Sequence, residues 1–78
     1  VKKGTWVRGL GGSNIEGCIG VVTGRAPGYV RALGVQVCQS SELSEAEEGG
    51  VEVCSPQHLE ELPATEALAW AWDQGNAG

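Results

Sequence analysis

The stretch Val51-Glu-Val-Cys-Ser-Pro-Gln-His-Leu-Glu-Glu-Leu-Pro63 compresses two strands and the turn between them into one short segment. Val51-Glu-Val-Cys54 alternates apolar and polar residues, the period-two pattern of a half-buried strand. The pattern predicts Val51 and Val53 facing the core, with Glu52 and Cys54 facing water. Ser55-Pro56-Gln57-His58 predicts one helical turn, with Ser55 as its cap and Pro56 at the first helical position, where a missing N–H does no harm. Leu59-Glu-Glu-Leu62 then returns as a short last strand, and Pro63 closes the domain.

Upstream, the same period recurs three times. Val1 to Gly9 reads as a first strand, with Trp6 and Arg8 on one face and Thr5 and Val7 on the other. A glycine-rich loop follows, holding two apolar anchors, Leu10 and Ile15. Cys18 to Gly24 is the second strand, with Ile19 and Val21 assigned to the core. Arg25-Ala-Pro-Gly28 is a turn, because Pro27 presets φ and Gly28 tolerates a positive one. Tyr29 to Gln39 is the third strand, facing the core through Leu33, Val35 and Val37 and facing water through Gln36 and Cys38. Gln39 to Gly50 reads as a solvated loop, ordered on a partner or mobile. The expected core is therefore Val7, Ile19, Val21, Val35, Val37, Val51 and Val53, closed by Leu59 or Leu62. Five short strands, the last two joined by a single turn, predict an all-β fold: a small five-stranded SH3-like barrel over residues 1–63. Residues 64–78 form a short helical or extended tail outside it.

The chain has 78 residues, 13 of them glycine, with no Phe and no Met. One thin core fits that length, and a partner surface is a natural source of further stability. The missing Met, with strand-like sequence almost from Val1, is the expectation for a processed chain or a fragment. No apolar run reaches the roughly 18 residues of a membrane span. Residues 1–40 carry Lys2, Lys3, Arg8, Arg25 and Arg31 against Glu16, a net +4, while residues 41–78 hold nine acids and no base. This asymmetry suits docking of polar partners, while the overall charge of −5 argues against nucleic acid. The five bases are the expected contacts for an acidic partner.

Cys18, Cys38 and Cys54 are odd in number, which points to a reducing or organellar compartment rather than a disulfide scaffold. With His58 they could be drawn as a zinc set, but the tight Cys pair usual in structural zinc sites is missing, so no metal is expected. The spacing of Cys54 and His58 could be drawn as a thiol–imidazole couple, yet so small a chain offers it no substrate pocket. Gly9-Leu-Gly-Gly12 lacks the Lys-Ser/Thr of a phosphate loop. No enzyme activity and no cofactor are expected. In the tail, Thr65 could cap a short helix that places Leu68 and Trp72 on one side. Leu68, Trp70 and Trp72 are costly to leave in water, and either fold back onto the barrel or anchor a partner.

Val1-Lys-Lys-Gly-Thr-Trp-Val-Arg8, Ile19-Gly-Val-Val22, Pro27-Gly28, Gly34-Val-Gln-Val37 and His58-Leu-Glu-Glu-Leu62 together resemble the stromal subunit IV family of photosystem I, across about residues 1–63. Cys38 stands where that family carries an Arg linked with ferredoxin docking. The resemblance implies a non-catalytic peripheral subunit at the stromal face of the plastid thylakoid membrane. Its implied partners are the photosystem core and ferredoxin, and it implies no membrane span of its own. Gly9-Leu10, Ile15-Glu-Gly-Cys-Ile-Gly-Val21 and Val51-Glu-Val-Cys-Ser-Pro-Gln-His-Leu59 are also similar to SH3-like repeats of algal and dinoflagellate proteins. These imply a protein-interaction module. Gly17-x-x-Gly20-x-Val22 resembles the KOW element of ribosomal and transcription proteins, a third reading.

Overall fold

The structure, a computed structural model, describes residues 2–63. Five strands form one antiparallel sheet: β1 (Trp6–Gly9), β2 (Ile19–Arg25), β3 (Leu33–Gln39), β4 (Val51–Cys54) and β5 (Leu59–Glu61). A 3-10 turn, Pro56–His58, separates β4 from β5. Their order across the sheet is β4-β3-β2-β1-β5. The first strand is thus flanked by the second and the last, and the fold is small, all-β and barrel-like, as the five short strands of the sequence predict. Among the described residues no helix is long and apolar enough to cross a membrane.

β1 begins at Trp6 rather than Val1 because the leader turns: Thr5 N–H donates to the Lys2 carbonyl at 3.1 Å. β3 begins at Leu33 rather than Tyr29. The residues before it close the Pro27–Gly28 turn, in which Tyr29 N–H donates to the Ala26 carbonyl at 3.2 Å and Gly28 takes φ 83°. Register shifts leave Cys38 on β3 and Thr23 on β2 as extra residues, bulges that bend the sheet.

The core lies inside the bend and holds Val7, Ile15, Cys18, Val22, Val35, Val37, Ala46 and Cys54, with Leu33 and Leu59 packed against it and Leu62 also buried. Two strands face opposite to expectation. On β2 it is Val22 that is buried, while Ile19 and Val21 are half-buried on the other face. Gly20 and Val22 pair with Val37 and Val35, and residues paired across an antiparallel ladder share a face. Gly20 must lack a side chain: a Cβ there would lie 2.6 Å from both the Gln36 carbonyl oxygen and a Val35 methyl. On β4, Cys54 is buried and Glu52 half-buried, while Val51 and Val53 are 59% and 41% exposed. The cause is again register, which places Glu52 opposite Val35 and Cys54 opposite Leu33.

The β3–β4 loop is also more ordered than its composition predicts. Val37 N–H donates to the Gly50 carbonyl, Gly49 N–H to the Val37 carbonyl, and Ser44 Oγ to the Asn14 carbonyl at 2.6 Å. Its Ala46 drops into the core, so the loop lids the barrel together with Ile15 from the β1–β2 loop.

Candidate functional site

A groove of about 660 Å³ opens between the β2–β3 loop and the 3-10 turn. Its loop side carries Val30, Arg31 and Ala32, its base Arg25 and Leu33, and its far wall Ser55, Pro56 and Gln57. Local chemistry fixes both walls. On the loop side, buried Ala26 donates its N–H to the Ala32 carbonyl at 3.0 Å, pinning the Pro27–Gly28 turn beneath the groove. On the far side, Pro56 starts the 3-10 turn and His58 N–H donates to the Ser55 carbonyl at 3.0 Å. The side chain of Ser55 makes no capping bond, a correction to the expected cap; the residue lines the groove instead.

The groove combines an apolar floor with positive charge. Arg25 and Arg31 are exposed, and neither is paired with a carboxylate among the described residues. The other bases do not join them there. Arg8 Nη1 bonds Glu60 Oε1 at 3.1 Å, an exposed pair of the kind worth about 0–1 kcal/mol. Lys2 and Lys3 are exposed in the turn before β1. The five bases therefore do not all line one site; Arg25 and Arg31 are the two that the groove brings together. Leu68, Trp70 and Trp72 lie outside the described residues. The reading of charge alone missed Leu33, Pro56 and Gln57. Pro56 was visible as a turn former, but nothing in its neighbourhood marks it as a binding wall.

The cysteines are differently placed. Cys54 Sγ donates to Asn14 Oδ1 at 3.3 Å, and Cys38 Sγ to the Gln36 carbonyl at 3.6 Å. Burial pushes the Cys54 thiol up from its ordinary 9.0; the charges of Glu52 and Cys18 add to this and a hydrogen bond with Ser13 opposes it. Burial likewise raises Cys38. Both therefore keep their protons at neutral pH and make poor nucleophiles and metal ligands. Cys54 turns inward and shares no hydrogen bond with His58, whose ring lies over Gly12 instead. Among the described residues no three His, Cys, Asp or Glu side chains gather as a metal set.

A pH dependence follows. The folded thiols hold protons more tightly than the unfolded ones, so above the ordinary value of 9.0 the folded state binds more protons and stability falls as pH rises. Urea midpoints should be level near neutrality and decline above about pH 9. The decline should be shallower in Cys54→Ala, and equal slopes in the two proteins would remove Cys54 as its source. Compared with protein-family models, curated proteins and solved structures, the chain matches none.

Proposed function

We propose that the chain is a non-catalytic protein-interaction module whose groove between the β2–β3 loop and the 3-10 turn receives an acidic segment of a partner protein. One observation carries this reading: two guanidinium groups, with no carboxylate partner among the described residues, line a groove together with the apolar side chains of Leu33 and Pro56. Guanidinium forks bind carboxylates two bonds at a time, and the apolar floor adds burial for a neighbouring side chain. Hydrogen bonds to charged groups contribute about 1.5–3 kcal/mol each, so Arg25→Glu with Arg31→Glu should weaken binding of a Glu/Leu-rich peptide by tenfold or more. The affinity of the unaltered chain should also fall with added salt. Amide shifts should map to Leu33 and Gln57. Equal binding of a Lys/Leu-rich peptide, or indifference to both substitutions, would overturn the reading.

A narrower form makes the chain a peripheral subunit of a membrane complex, stromal subunit IV of photosystem I, with a core subunit or ferredoxin as the acidic partner. Its supports are the sequence resemblance over residues 1–63 and a basic first half. Co-purification with a chlorophyll-containing complex tests it; a chain recovered free of pigment from such a preparation would leave only the general module.

A further inference from the structure

The two most exposed large apolar side chains among the described residues are Val30, at 84%, and Leu43, at 69%. They stand at opposite ends of the sheet, in surroundings of opposite charge. Val30 lines the groove beside Arg25 and Arg31. Leu43 lies in the β3–β4 loop between Glu42 and Glu45, both exposed and neither in an ion pair among the described residues. Single exposed apolar residues are ordinary, but each of these is framed by charges of one sign, and the two signs are complementary.

Building on the groove as a site for an acidic segment, we propose that the segment it receives is Glu42-Leu43-Ser44-Glu45 of a second copy of this chain, joining copies head to tail. Leu43 enters beside Val30 and Leu33, and the carboxylates of Glu42 and Glu45 meet the guanidinium groups of Arg25 and Arg31. A chain cannot fill its own groove in this way. The loop begins where Gln39 pairs with Ile19, and it carries Leu43 to Gly17, where an added Cβ would lie 3.3 Å from Leu43 Cδ1. The groove opens at the other end of the same ladder, where Arg25 pairs with Leu33. The seven residues of β2 separate the two ends by about 20 Å at the rise of a strand. The segment is also held ready for contact. Leu43 N–H donates to Ser41 Oγ at 3.1 Å and Ser44 Oγ to the Asn14 carbonyl at 2.6 Å, so little freedom is lost on binding. Because groove and segment are different surfaces, the contact is heterologous: every assembly keeps a free groove at one end and a free segment at the other.

Sedimentation equilibrium of the full chain is the test. The mean mass should rise with concentration and pass that of a dimer without a plateau. Arg25→Glu with Arg31→Glu in one variant, and Glu42→Lys with Glu45→Lys in another, should each move that rise to about tenfold higher concentration or more. All four positions are exposed, so the strand signal should persist in both variants. An equimolar mixture of the two should associate again, because each groove then meets a segment of opposite charge. Both variants remain net negative, so overall charge does not draw them together. A chain still monomeric at about 1 mM would overturn the proposal, as would a mixture no more associated than its parts. Association that stops at a dimer and shifts the amides of Val51 and Val53, rather than those of Leu43 and Gln57, would also overturn it and assign the contact to the β4 edge. Binding of the Glu/Leu-rich peptide by a chain that stays monomeric removes only the self-docking and leaves the groove reading in place; binding of neither kind removes both.

Discussion

Ile15→Ala should leave the chain poorly folded at 25 °C in dilute buffer. Ile15 lies in the loop between β1 and β2 and is the largest of the fully buried side chains. Its N–H bonds Ser13 Oγ at 3.1 Å and its carbonyl accepts from Cys18 N–H at 2.9 Å, so the loop around it cannot collapse freely into the space. Truncating a buried Ile to Ala costs about 2–5 kcal/mol. A lone core in a chain this short rarely supplies more than about 3–5 kcal/mol in total. The two ranges overlap, so the urea midpoint should move close to zero denaturant. Val51→Ala is the control: Val51 is 59% exposed, and its loss should change stability by less than about 0.5 kcal/mol. A midpoint for Ile15→Ala near that of the unaltered protein would show that the β1–β2 loop is not part of the core.

That contrast also marks where the sequence is legible. The order of strands could be read from residues 51–63 and from alternation upstream, and Ile15 could be read as a loop anchor. Which face of β2 and β4 is buried could not. Alternation is a pattern of side chains, and Gly20 has none, so Ile19 and Val21 looked like the inner pair although Gly20 and Val22 are. On β4 the visible alternation of valine with glutamate pointed the wrong way, because register with β3 sets the facing and register is not written within a single strand. Half of the site was within reach: Arg25 ends β2 and Arg31 lies in the β2–β3 loop, and antiparallel pairing of Arg25 with Leu33 keeps both at one end of the hairpin. The wall made by Pro56 and Gln57 comes from a turn that is distant in sequence, and only the fold places it there.

Gly9→Ala should destabilise the protein about as severely as Ile15→Ala, and by the same route. Gly9 ends β1 at a junction, paired with Leu59 on β5 and bridged to Glu16 in the β1–β2 loop. Its N–H donates to the Cys18 carbonyl at 3.0 Å, and its carbonyl accepts from Gly17 N–H at 2.9 Å. The loop is therefore laced directly over its Cα. A Cβ at this position would overlap the Ile15 carbonyl oxygen and lie 2.6 Å from its carbonyl carbon. Both obstacles are backbone, which cannot rotate away as a side-chain tip can, so the methyl must lift the loop and draw Ile15 out of the core. Overpacking of this kind typically costs about 1–3 kcal/mol, and unseating Ile15 adds to it. Gly11→Ala, two residues on, meets only the carboxylate tip of Glu16 at 3.4 Å and should be nearly neutral. Because Gly9→Ala and Ile15→Ala act on one event, their combined effect in urea titrations should fall well short of the sum of the single effects. A clean sum would mean that Gly9 acts through its pairing with β5 and that the loop over it is not what holds Ile15 in place.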